Sequence, residues 1–130
     1  MSPAIIDAAA GTITTSSGKV LAYSKAIQVN ATAYDLSYES CGKRPGDRGY
    51  GITASGMHAR YGVIAVDPSV IPLGTKLYIE CPNGGWVYGE AIAGDTGGAI
   101  KGNRIDLFYN SKQEALNFGR RTAMVYVLTE

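Results

Sequence analysis

Two carboxylates, Asp95 and Asp106, stand eleven positions apart in the stretch AIAGDTGGAIKGNRIDLFYN, and glycines 94, 97, 98 and 102 crowd around the first of them and the turn that follows. Asp106 lies between Ile105, Leu107 and Phe108, a pattern that predicts a strand position with little access to water. Desolvation and a second nearby carboxylate both raise a carboxyl pKa. An acid that keeps its proton near neutrality can give it to a leaving oxygen, which is what glycosidic bond cleavage needs. Glycines let the backbone turn tightly and approach a polymer chain closely, so the turn is expected to bring Asp95 back beside Asp106. The same residues also admit a purely structural reading, in which Asp95 caps the turn and Asp106 pairs with Arg104 or Lys101. Spacing alone does not choose between the two.

Competing chemistries fare worse. Asp95-Thr96-Gly97 spells an aspartic protease signature, but such an enzyme needs two facing aspartates that share a proton, and the chain has a single copy of the tripeptide, preceded by Ala93-Gly94 rather than an apolar strand. The run 97–102 has the wrong order for a phosphate-binding loop, and no helical pattern follows it. His58 is the sole histidine; with no Ser or Cys motif to partner it, it reads as a partly exposed loop residue. Scattered carboxylates give no metal site. Cys41 and Cys81 sit in turn-like segments without zinc spacing, and two free thiols are expected.

Composition sets the class. The 130 residues suit one domain with its own core. A net charge of +1 gives no electrostatic case for nucleic acid or an anionic membrane surface. No apolar run approaches the ~20 residues of a membrane span. The start, MSPAIIDAAAG, lacks the basic and apolar regions of a signal peptide. Nine tyrosines against two phenylalanines and one tryptophan fit a sugar site, where a ring stacks and its hydroxyl bonds, and equally fit ordinary strand formation.

The elements that must position the aspartates read as short strands. Residues 1–18 look weakly ordered. A long strand-like stretch spans 19–34, a Gly/Pro/Asp-rich loop follows, and 50–55, 62–67, 76–81, 85–93 and 122–130 alternate enough to be strands. DPSVIPLG, with two prolines, predicts a tight turn. Only NSKQEALNFG looks helical, capped at Asn110 or Ser111, stopped at Gly119, with Ala115, Leu116 and Phe118 inward. Six or so short strands and one brief helix argue an all-β barrel.

At this length of pattern the chain resembles a known family. ATAYD, GYGITASG, GVIAVDPSVIPLGTKLYIE and AGDTGGAIKGNRIDLFY together look like the 3D domain, named for three aspartates, here Asp67, Asp95 and Asp106. The resemblance covers residues 31–130; residues 1–30 form an N-terminal extension whose part from 11 onward looks like the hairpin-like lead-in of such proteins. It implies a six-stranded double-psi β-barrel, similar to the barrels of membrane-bound lytic transglycosylase A and of expansins. It implies cleavage of peptidoglycan glycan strands between N-acetylmuramic acid and N-acetylglucosamine without water, leaving 1,6-anhydro ends, with no cofactor. Asp106 takes the acid/base role, Asp95 supports it, Asp67 helps build the site, and Lys43 and Thr53 contact substrate. The setting implied is extracellular, in the cell wall or associated with spores, with the export signal and any wall-binding module outside this chain. The same barrel also supports an expansin-like module that grips glycan without cutting it.

Overall fold

The computed structural model describes residues 4–35, 51–53, 55–82, 85–97 and 99–129; Lys43, Cys41 and Gly98 therefore lie outside the described residues. Among the described residues there are eight strands: β1 (Ile5–Asp7), β2 (Thr12–Thr14), β3 (Val20–Tyr34), β4 (Val63–Ala65), β5 (Lys76–Glu80), β6 (Val87–Asp95), β7 (Arg104–Phe108) and β8 (Arg121–Leu128). A helix, α1 (Lys112–Phe118), joins β7 to β8.

Six of these strands close on themselves in the order β3-β7-β4-β6-β5-β8, with β8 returning to β3. The length of β3 makes closure possible. Its first part pairs with β8 from Tyr23↔Leu128 to Ala31↔Arg121, while its last five residues pair with β7 from Asn30↔Arg104 to Tyr34↔Phe108. The pairs β3/β7 and β4/β6 are parallel and the other contacts around the ring antiparallel. Two parallel pairs within a six-stranded ring agree with the double-psi form. The interior is filled by alternating inward side chains, among them Ile64, Val66, Leu77, Ile79, Ile105 and Leu107, all fully buried. Each such side chain contributes roughly 1.5–3 kcal/mol of burial.

Residues 4–18 differ from expectation. They form the β1/β2 hairpin, which pairs on through Ile13↔Leu21 to β3. Ile13 and Leu21 cover Tyr78 and Tyr126 on the outside of the barrel, and Tyr23 meets Tyr126 edge-on at 5.0 Å. An alternating pattern two or three residues long is too short to read before its partner is known. The same outer layer shuts in Glu80, 5% exposed, whose Oε1 accepts the Ala4 amide at 3.4 Å; burial raises its pKa.

Two further expectations are corrected. The described residues of 50–55 do not form a strand: a single bridge, Ile52↔His58, closes a turn in which Thr53 N–H donates to Met57 O. Leu116 points outward at 65% exposed, while Ala115 and Phe118 are buried, because a seven-residue helix offers only one face to the barrel. Its caps are as the sequence suggests: the Glu114 amide donates to Ser111 Oγ at 3.1 Å and Gly119 takes φ +64°. His58 is exposed, in keeping with its reading.

Candidate active site

The site is built where β4 runs between β6 and β7. Ala65 of β4 pairs with Asp106 on one side and Asp95 on the other. The two strands that the glycine-rich turn connects are not direct neighbours, since β4 lies between them. With strands ~4.8 Å apart, the two aspartate Cα atoms stand roughly 10 Å from each other.

Both side chains reach the same face by different means. On β7, Ile105 and Leu107 point into the core, so Asp106 between them points out. On β6 the alternation alone would send Asp95 inward with Ala91 and Ala93, which both belong to the core. A bulge intervenes: Ile64 pairs with Ala93 but Ala65 pairs with Asp95, leaving Gly94 as the extra residue. The bulge re-aims the carboxylate onto the face of Ala65 and Asp106. Gly94 is required for space. A Cβ there would stand 2.5 Å from Val63 Cγ1 and 3.1 Å from Met57 Sδ. Its carbonyl is held by Ser55, whose Oγ donates at 2.6 Å and whose amide donates at 3.2 Å. Thr53, 6% exposed, places its Oγ1 3.1 Å from Ser55 Oγ, so this predicted substrate contact sits within the packing that supports the bulge.

Asp106 is half-buried, and its Oδ1 accepts the Thr32 hydroxyl at 3.0 Å. Burial raises its pKa above the ordinary carboxyl value; the Thr32 hydrogen bond and the Arg104 charge pull it partly back, and the Asp95 charge adds to the rise. Arg104 does not form an ion pair with it: its guanidinium donates to Ala99 O at 3.2 Å, and among the described residues the single ion pair is Lys19–Glu90. Asp95 does cap its own turn, accepting the Thr96 amide on Oδ1 at 2.8 Å, and its Oδ2 lies 3.4 Å from the Tyr34 hydroxyl. That hydroxyl is also 3.4 Å from Val63 O. Burial first, then the charges of Asp95 and Asp106, push the Tyr34 pKa far up, so Tyr34 remains a neutral donor.

Asp67 acts at one remove. Its Oδ1 accepts the Ser69 amide and hydroxyl at 3.0 and 2.7 Å, and its Oδ2 accepts the Gly102 amide at 2.8 Å. These bonds, that of Gly102 foremost, hold its pKa down at about 2. Asp67 thus ties the turn after β4 to the glycine-rich connection between β6 and β7. Gly102, at φ +66°, supplies the left-handed turn there.

The structure brings Asp95 and Asp106 to one face and sets Asp67 behind their connection. Thr32 and Tyr34 were not singled out from sequence. The available signal was their alternation with Ala31 and Ala33 in ATAYD, which puts both on the face away from the core.

Comparison with known proteins follows the same outline. The chain is 48% identical over 110 residues to the cell wall-binding protein YocH of Bacillus subtilis (strain 168), a match covering 81% of this chain and 33% of that protein. It is 42% identical over 108 residues to the putative cell wall shaping protein YabE of the same organism, covering 80% of this chain and 23% of that one. The chain thus spans a third or less of these two relatives. Among solved structures, the Escherichia coli lytic transglycosylase MltA with bound chitohexaose superposes with a TM-score of 0.53 at 29% identity, over 60% of this chain and 27% of that one. The 3D domain model matches residues 62–129, which contain β4 through β8 and all three aspartates, and the chain belongs to the 3D domain family.

Proposed function

We propose that this domain acts on peptidoglycan in the cell wall and cleaves the β-1,4 bond between N-acetylmuramic acid and N-acetylglucosamine without water, with Asp106 as acid and base. The observation that carries this reading is the half-buried Asp106, raised in pKa and free of any ion pair among the described residues, with a second carboxylate one strand away. The likeness to a lytic transglycosylase barrel and to cell wall proteins supports the substrate class. In the proposed reaction Asp106 gives its proton to the glycosidic oxygen as the bond from C1 breaks with oxocarbenium character. The muramic acid O6 hydroxyl then closes on C1 and returns a proton to Asp106, so one residue serves in both directions and no water is consumed. Holding O6 against C1 replaces an activated water by effective molarity. Asp95 favours the protonated form of Asp106 and offers negative charge to the oxocarbenium ion. Tyr34 and Thr32 hold the two carboxylates, and Asp67 fixes the connection between their strands. Lys43 and Thr53 are proposed as substrate contacts on the family resemblance alone.

The name of the wall-binding relative favours a second reading, a module that grips glycan without cutting it. Digestion of purified walls in ¹⁸O-labelled water, followed by mass analysis of soluble products, separates the two. Fragments ending in anhydro-muramic acid, about 18 Da lighter than hydrolytic products and without label, are expected. Labelled reducing ends would identify a hydrolase, and wall binding with no soluble product would identify the binding module.

A further inference from the structure

A concave surface lies a short way along β4 and β6 from the aspartates. It has a volume of about 440 Å³, and its walls include Lys19 before β3, Arg60 and Gly62 before β4, Lys76 at the start of β5, and Glu90 and Ile92 on β6. Leu21 and Leu128 give it an apolar floor. Pockets of ~300–1,000 Å³ that join an apolar lining to a few polar groups are the usual form of a small-ligand site.

Its charge is one-sided. Three cationic side chains line it against one carboxylate, Glu90, and Lys19 Nζ already pairs with that carboxylate at 3.1 Å. Arg60 is exposed, and among the described residues its guanidinium makes no ion pair or hydrogen bond. Tyr61 adds a fixed ring: it stacks on Tyr88 at 4.3 Å between centroids, and its hydroxyl donates to Tyr88 O at 2.8 Å. An occupant that complements this pocket carries a carboxylate for Arg60 and small apolar groups for the leucines.

The position narrows the choice. Ile92 of the pocket wall pairs with Val63, and a short way along the same two strands Ala65 pairs with Asp95. At ~3.3 Å per residue the pocket begins roughly 10 Å from the aspartates. A peptide attached to a sugar held at Asp106 covers that distance with about two or three residues, at ~3.3–3.6 Å each. The muramic acid ring carries such a peptide on its lactyl group, beginning with alanine and then a γ-linked glutamate whose α-carboxylate hangs free.

We propose that this pocket binds the acidic peptide stem of peptidoglycan, with the glutamate α-carboxylate on Arg60 beside Lys76 and the alanine methyl over the leucine floor. The proposal rests on the reading of the aspartate face as a peptidoglycan site, and it assigns the stem, rather than the glycan, to a separate surface. The probe is the free dipeptide L-Ala-γ-D-Glu, compared with the same dipeptide amidated at the α-carboxylate. Titrated into the ¹⁵N-labelled protein, the acid form is expected to shift the amides of Gly62, Leu77 and Ile92 saturably. Both the amidated dipeptide and Arg60→Ala are expected to weaken binding by about fivefold, the effect of one partly exposed ion pair. Absence of shifts at these amides, or equal affinity for the acid and amide forms, or wild-type affinity in Arg60→Ala, would overturn the proposal. Because the dipeptide contains no glycosidic bond, this outcome is independent of whether walls are cleaved. Binding without anhydro products would count against the proposed reaction alone, and anhydro products without shifts would count against the pocket alone.

Discussion

Replacing Gly94 by alanine tests whether the bulge positions Asp95. The new Cβ would lie 2.5 Å from Val63 Cγ1, whereas two carbons rest at ~3.5–4.0 Å, so the contact must open by about 1 Å. Met57, whose Sδ is 3.1 Å away and half-buried, can swing aside. Val63 is fully buried on β4 between two paired strands and cannot. The displacement then falls on the bulge, with Asp95 next in the chain. Gly94 does not have a positive φ, so backbone strain does not enter and the substitution isolates the steric effect. Overpacking of this kind costs about 1–3 kcal/mol, offset by the ~0.4–1 kcal/mol that alanine gains over glycine through the unfolded chain. The net loss, up to about 2.6 kcal/mol, corresponds to a melting temperature lower by up to roughly 12 °C for a domain of this size. A shift of about 1 Å in a reacting constellation costs about 100-fold in rate, so release of soluble wall fragments, measured well below the melting temperature, should fall far more than stability does. A melting temperature raised above that of the wild type, the gain of alanine over glycine with no steric cost against it, would show that the site is not tight. A lowered melting temperature with unchanged turnover would break the link from bulge to carboxylate.

Other perturbations read the remaining parts of the site. Asp106→Asn removes the titratable proton and should abolish product release while the melting temperature and circular dichroism stay native; Asp95→Asn should lower the rate and leave residual turnover. Thr32→Val removes the hydrogen bond that favours ionised Asp106, so its pKa rises further; because the acid must begin protonated, the fall in rate on the alkaline side should move to higher pH, and a move to lower pH would contradict the assignment. Asp67, held down at about 2 from an ordinary 3.8, contributes stability that is complete above its unfolded value and lost as pH falls through about 2; Asp67→Asn should melt earlier than wild type at pH 7, show faster hydrogen exchange at the Gly102 amide, and lose its difference from wild type near pH 2. Glu80 has the opposite sign: its raised pKa means that its folded state favours the proton and loses relative stability as pH rises through that value, so thermal melts of Glu80→Gln should show a gain at pH 7 that shrinks toward pH 4.

Much of this arrangement was legible in the residues, and the exceptions share a cause. The strand over 19–34, the helix between Ser111 and Gly119 and the outward turn of Asp106 between Ile105 and Leu107 follow from local pattern and capping. The placement of Asp95 does not, because its alternation on β6 points the wrong way until the Gly94 bulge is known. Nor does the hydroxyl on Asp106, since Thr32 stands 74 residues earlier in the chain. The insertion of β4 between β6 and β7 is likewise a long-range pairing that no local turn rule forecasts. The glycines do more than turn the chain tightly: Gly94 supplies room and Gly102 a left-handed turn, while β4 stands between the two strands they connect.

Ring closure also bears on how the domain behaves in a crowded setting. An open sheet offers unpaired N–H and C=O groups along its outer strands, a template on which other chains add. Here β3, β4, β5, β6, β7 and β8 all have neighbours on both sides, and among the described residues the sheet ends at β1, a strand only three residues long. So short an edge gives an incoming strand little backbone to pair with, even though Ile5 on it is 72% exposed. The domain should therefore resist strand addition and self-association through its sheet.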